Sequence, residues 1–280
     1  MQRGPATPPF ADSPEEYTVR SMPLPGSMEL PLDGADLWFA ALDGPLDPLS
    51  SDTSVLAPCE LRRAQGMSAG PRRTFVGARA RLRRLLAAYL PTSSGPVDLR
   101  RGVNGKPRLT GHLAHCGLHF NTSHCQARAM FAFSRSQVGV DIEALRPLSS
   151  ALRLAERFFT PSEIAEVAKQ RARGQPDTFL KIWTCKEAYV KAIGGSVPQD
   201  LGTFQVALEP RRGAALLDED GRAIGGWTML PLQPQRGIIG ALAVCQAKVK
   251  LRRWLLAGRP SQPWPQLDSG ARNASRKPVS

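Results

Sequence analysis

Val138-Gly139-Val140-Asp141-Ile142-Glu143 alternates strictly between apolar and non-apolar positions. Period two is the signature of a strand, because successive side chains leave a strand on opposite faces. Val138, Val140 and Ile142 then share one face, and Gly139, Asp141 and Glu143 the other. On such a strand the two carboxylates stand about 7 Å apart, at a rise of about 3.3 Å per residue. Gly139 leaves room beside them. Like charges this close repel unless a cation or hydrogen-bond donors offset them. Oxygen ligands of this kind suit Mg²⁺, which keeps several waters and is held by one or two carboxylates plus phosphates. The pattern is also that of an exposed strand end with two solvated acids, since short acidic motifs often match by accident.

A second segment, Trp183-Thr184-Cys185-Lys186-Glu187-Ala188-Tyr189-Val190-Lys191, reads as a helix. Phe179, Ile182, Tyr189, Val190 and Ile193 recur at spacings near three and four and make one apolar face. Gly194 and Gly195 supply a stop. Trp183, Glu187 and Lys191 follow one another at i,i+4 and line one stripe. An ordinary Glu–Lys pair on a solvated helix explains two of them. It does not explain the indole one turn earlier or the neighbouring Lys186.

These residues resemble the Sfp-type 4′-phosphopantetheinyl transferase superfamily. The family pattern is a Gly-(Ile/Val)-Asp-x-Glu strand followed by a Trp-x-x-Lys-Glu-(Ala/Ser)-x-x-Lys helix, matched by Gly139–Glu143 and Trp183–Lys191. Upstream, Asn104-Gly105-Lys106-Pro107 resembles its Gly-Lys-Pro turn, and Phe120-Asn121-Thr122-Ser123-His124 its Phe-Asn-x-Ser-His strand end. Arg157-Phe158-Phe159 with Glu163 resembles an Arg-Phe-Phe-then-Glu segment, and Arg79–Arg83 an early helix. The matches occur in family order between about Leu37 and Ala247. Cys125 after His124, Cys185 before Lys186, and Gly194-Gly195-Ser196-Val197 depart from the usual pattern without removing a charged motif residue.

The resemblance implies an α+β fold, a pseudo-twofold pair of similar α/β halves with the active site between them. It implies transfer of 4′-phosphopantetheine from coenzyme A to a serine of an apo acyl or peptidyl carrier protein. Adenosine 3′,5′-bisphosphate is the other product. Mg²⁺ is expected on Asp141, Glu187 and Glu143, with Lys191 against the phosphates and Glu187 or Glu163 as general base. Lys106, Pro107, Ser123 and His124 are expected to hold coenzyme A. Lys186, Arg73 and one of Arg62 or Arg63 are expected to join them. The expected domains are a Pro-rich disordered lead (1–34), a coenzyme A-binding half (35–137), a metal-binding catalytic half (138–250) and a basic tail (251–280).

Composition bears on the remaining questions. No apolar run reaches the roughly 18 residues that span a bilayer, and Met1–Gly26 has no hydrophobic core of a secretory signal. Five cysteines without framework spacing suggest free thiols in a reducing cytoplasm. The net charge is +13, with arginines clustered from Arg62 to Arg84. A basic surface attracts nucleic acid, anionic membranes or acidic proteins. Nucleic-acid binding would need aromatics among those arginines, and only Phe75 is there; acidic carrier proteins are the expected partners, met by a monomer. An inactive family member and a basic binding protein are the alternatives. All four histidines, His112, His115, His119 and His124, fall in one stretch with Cys116 and Cys125. That is raw material for zinc, but Gly111 and Gly117 interrupt any shared helical face, and surface histidines are the expectation.

Overall fold

Strand β7 (Val138–Ala144) is where two five-stranded sheets meet. The computed structural model describes residues 17–42, 53–91, 97–102, 106–195, 201–209 and 213–257. Before β7 come β1 (Thr18–Arg20), β2 (Gly34–Ala41), helices α1 (Pro58–Gln65) and α2 (Ala69–Tyr89), and β3 (Leu99–Arg101) paired with β4 (Pro107–Leu109). β5 (His119–Cys125) and β6 (Arg128–Ser134) follow. After β7 come α3 (Ala151–Phe158), α4 (Pro161–Ala168) and α5 (Gln175–Ile193). The last described strands are β8 (Gln205–Glu209), β9 (Gly213–Leu217), β10 (Thr228–Gln235), β11 (Ile238–Val244) and β12 (Lys250–Leu256).

One sheet has the order β1-β12-β2-β6-β5, the other β7-β11-β10-β9-β8. Each carries a long helix. Leu82, Leu85 and Leu86 of α2 pack on Trp38, Phe131 and Phe133 of the first sheet. Ile182, Cys185 and Ala188 of α5 pack with Ile239, Ala241 and Ala243 of the second. A third core joins the sheets: Leu37, Phe39 and Met130 meet Val138, Val140, Ile142 and Leu242. The alternation of β7 is therefore resolved as its sequence predicts. Its even-numbered apolar side chains enter the inter-sheet core, and its odd-numbered positions face α5.

Gly139 is the reason α5 can lie there. A Cβ at this position would stand 2.0 Å from the carbonyl oxygen of Ala188 and 2.5 Å from the amide nitrogen of Ala192. The room beside Asp141 and Glu143 is filled by helix backbone.

Two expected boundaries need correction. The basic tail does not begin at 251, because β12 runs parallel between β1 and β2. Arg252 bonds both carboxylate oxygens of the fully buried Asp36, at 2.6 and 2.8 Å. The basic residues of β12 conceal a strand: Arg252 is paired with Asp36, and Lys250 with Asp33 at 2.6 Å. The lead segment is packed from Tyr17 onward, with Met28 and Leu30 buried. Residues 1–16 and 258–280 lie outside the described residues, as do Asn104, Gly105, Ser196 and Val197 of the motif turns.

Candidate active site

The site is built on the seam between β5 and β7, the facing edge strands of the two sheets. No backbone ladder joins them. Asn121 Oδ1 accepts from Val140 N at 2.9 Å, and Ser123 Oγ from Ile142 N at 3.4 Å. Ser123 Oγ in turn donates to Asp141 Oδ1 at 2.8 Å. The β5 motif thus serves the exposed edge of β7 with side chains, and sets the orientation of its central carboxylate.

Asp141 is 3% exposed. Its Oδ1 also takes a 2.6 Å bond from Lys191 Nζ on α5. Lys191 lies 3.2 Å from Glu187 Oε2, so its ammonium bridges the two carboxylates. Burial works against that ammonium, but Asp141 and Glu187 outweigh it and raise its pKa. Burial and the charge of Asp141 raise the Glu187 carboxyl, while Lys191 and a hydrogen bond from Trp183 pull it back. The Trp183–Glu187–Lys191 stripe is therefore one hydrogen-bonded line. Stacking on Phe179, with centroids 5.6 Å apart, fixes its indole end. Glu143 is raised by burial and by Asp141, and pulled back by Arg146, whose guanidinium lies 4.0 Å away.

The carboxylates outnumber the cation among them, and Asp141 Oδ2 is buried with no hydrogen-bond partner. An orphaned buried carboxylate oxygen is costly unless a ligand serves it. Among the described residues no three His, Cys, Asp or Glu side chains stand together as a ready-made metal group. Neither the Asp141, Glu143, Glu187 set nor the histidine stretch forms a closed cage. The acidic donors instead fit an open divalent site completed by phosphate and water, the arrangement Mg²⁺ favours.

Beside Lys191 opens a cavity of about 790 Å³ lined from both halves. Its basic side chains are Arg63, Arg79, Lys106, His124 and Lys191, with no carboxylate among the described lining residues. Burial, then Arg79 and Lys191, hold the His124 imidazole below its usual range. Arg63 and Arg79 both lie over the ring of Phe75, at 5.0 and 5.7 Å from its centroid. The cavity suits a polyanion.

Several expected residues are placed elsewhere. Glu163 and Lys186 do not line the cavity. They form a buried pair at 2.8 Å, 2% and 0% exposed. Glu163 also accepts from Thr160 N (2.9 Å), Thr160 Oγ1 (3.0 Å) and Val206 N (2.7 Å), so both oxygens are committed to capping α4 and tying it to β8. Glu163 has no capacity left to take a substrate proton. Arg62 and Arg73 are exposed and off the cavity. The wall of α2 is the stripe Pro71, Thr74, Phe75, Ala78, Arg79 and Leu82, a three-and-four spacing that excludes position 73. That periodicity was the available signal for Arg79, and Arg63 is the member of the Arg62/Arg63 alternative that faces in. Ser123 is committed to Asp141 and β7 rather than to the cavity. Pro107 and His124 line the cavity. Lys106 lines it too, but its amine is directed at the end of α5.

Similarity to known proteins decides the family. The chain is 35% identical over 225 residues to the 4′-phosphopantetheinyl transferase HetI of Nostoc sp. (strain PCC 7120), covering 80% of this chain and 92% of that protein. The chain belongs to the 4′-phosphopantetheinyl transferase superfamily. The family model of that description matches residues 137–243. The 4′-phosphopantetheinyl transferase Sfp of Bacillus subtilis (strain 168) is 34% identical over 90 residues, 32% of this chain and 39% of that protein. A partial match among solved structures is the Helicobacter pylori holo-[acyl-carrier-protein] synthase in complex with coenzyme A. It is 16% identical, has a TM-score of 0.30, and covers 38% of this chain and 97% of that one. This transferase has no described helix long and apolar enough to cross a membrane.

Proposed function

We propose that the protein transfers the 4′-phosphopantetheine group of coenzyme A to a serine hydroxyl of an apo carrier protein. One observation carries the reading beyond family membership. A basic cavity is walled by Lys191, whose ammonium bonds the buried carboxylate of Asp141, and that carboxylate has one oxygen served and one unserved. A polyanion in the cavity would present its pyrophosphate to Lys191, with Arg63, Arg79 and His124 around the nucleotide end.

Asp141 Oδ2, Glu187 and Glu143 would hold Mg²⁺, which supplies charge stabilisation to a phosphoryl oxygen. The chain's own groups do the rest. Lys191, kept protonated by its two carboxylates, offsets negative charge developing on the phosphates. Ser123 keeps Asp141 oriented. Glu187, whose proton affinity is raised, accepts the serine proton, directly or through one water. The serine oxygen forms its bond to the β-phosphorus as the bridging pyrophosphate bond breaks, and adenosine 3′,5′-bisphosphate leaves. Since both halves of one chain line the cavity, a monomer suffices. The net charge of +13 suits an acidic carrier.

The test is incubation with coenzyme A, Mg²⁺ and an apo carrier domain, followed by intact-mass analysis of the carrier. The expected result is a gain of one phosphopantetheine group, absent when the acceptor serine is replaced by alanine. A carrier of unchanged mass across acyl, polyketide and peptidyl types would overturn the reading.

A further inference from the structure

Lys106 comes from the first half of the chain, yet every hydrogen bond of its amine goes to the second. Its Nζ donates to Lys191 O at 2.6 Å and to Ala192 O and Val138 O, each at 3.3 Å. An ammonium has three protons, so these carbonyls account for all of them. The oxygens of Lys191 and Ala192 belong to the last turn of α5, where carbonyls lack intrahelical partners. A cation there also complements the negative end of the helix dipole. Val138 O opens β7, the strand that carries Asp141. The last turn of α5 carries Lys191.

We infer that Lys106 is a positioning residue: its amine clamps the start of β7 to the end of α5, holding Lys191 against Asp141, and does not contact the nucleotide. The inference rests on the transferase reading for its kinetic consequence only. Gly139 lets the two elements approach, and Lys106 pins them at the point where Gly194, at φ 76°, turns the chain out of the helix. Burial of the amine, which lowers its pKa to about 8, agrees with an anchoring role.

Lys106→Met keeps the stem and removes the ammonium; Lys106→Arg keeps the charge. Hydrogen exchange of peptides covering Ala188–Gly195 reads the clamp without reference to activity. In Lys106→Met we expect exchange in that turn to accelerate at least ~10-fold. The turnover number should fall ~10–100-fold, as for a small displacement of reacting groups. The KM for coenzyme A and the calorimetric affinity for adenosine 3′,5′-bisphosphate should change less than ~3-fold. Lys106→Arg should recover part of both protection and turnover. Unchanged exchange in the Met variant overturns the clamp. So does a KM rise that exceeds the fall in turnover number, or a weakened bisphosphate affinity, because either places the amine on the nucleotide. If Lys106→Met does not fold, Lys106→Gln carries the same readouts. If the wild-type protein transfers nothing, the transferase reading fails, and the exchange comparison still decides the clamp.

Discussion

The most informative single perturbation is Gly139→Ala, because it adds one methyl group and touches no charge. The new Cβ would meet the Ala188 carbonyl oxygen at 2.0 Å and the Ala192 amide at 2.5 Å. Both are helix backbone, so no side chain can rotate away. Restoring ordinary contact at 3.4 Å requires α5 to retreat from β7 by about 1.4 Å. Such overpacking costs about 3 kcal/mol, the upper end of the usual range, or more. For a chain of this size that is a fall in Tm of roughly 6–12 °C. The same retreat draws Lys191 from 2.6 Å to about 4 Å from Asp141, outside hydrogen-bond reach. A displacement of that order costs about 100-fold in turnover. Thermal melts and carrier-modification rates measure the two effects. Gly202→Ala is the control, since its Cβ would meet nothing within 4 Å. A Gly139→Ala protein that melts within ~2 °C of wild type and keeps turnover within ~3-fold would refute the close approach of α5 to β7 as the organising contact.

Asp141→Asn should abolish transfer while the protein remains folded, and Mg²⁺ should raise the Tm of the wild type but not of this variant; an equal rise in both would remove Asp141 from the metal site. Glu163→Gln leaves Lys186 buried without its carboxylate, a loss of about 3–5 kcal/mol, yet the folded fraction should turn over within a few-fold of wild type. Lost turnover at unchanged Tm would restore Glu163 as the base. Glu143 has a raised pKa in the native state. For a raised carboxyl, the native protein binds the proton more tightly than the unfolded chain, so stability is greatest below the unfolded pKa and is lost as pH rises through the native one. Glu143→Gln should therefore raise the Tm of the metal-free protein at neutral pH, and that gain should vanish as pH falls through the carboxylate range. A pH-independent difference would contradict it.

The parts of the molecule legible in its sequence are those with a clear period and an independent stop. β7 declares itself by alternation, and α5 by its apolar face and Gly194, so Asp141, Glu187 and Lys191 are found together. What misled were residues whose chemistry depends on a distant partner. Lys186 and Glu163 are expected at the site through the family resemblance, and only the fold reveals that they pair with each other in the core. β12 looks like a tail because Arg252 and Arg253 break its apolar pattern, and the buried Asp36 that absorbs Arg252 lies far back in the chain. Arg73 lies off the cavity wall because helical phase counted back from Arg79 reaches Phe75.

Burying a charge at a seam has a thermodynamic consequence. Asn121 and Ser123 let β5 satisfy the edge of β7 without merging the sheets, and this leaves the cavity open between the halves. The arrangement serves Asp141 Oδ1 twice and Oδ2 not at all. A buried acceptor without a partner costs about 1–3 kcal/mol, and more when charged. Whatever supplies positive charge or a donor to Oδ2 relieves that cost only in the folded protein. Ligand binding and stability are therefore linked through one oxygen atom. Ser123, which serves Oδ1, also holds the seam through Ile142 N, so a substitution there weakens both the site and the joint between the halves.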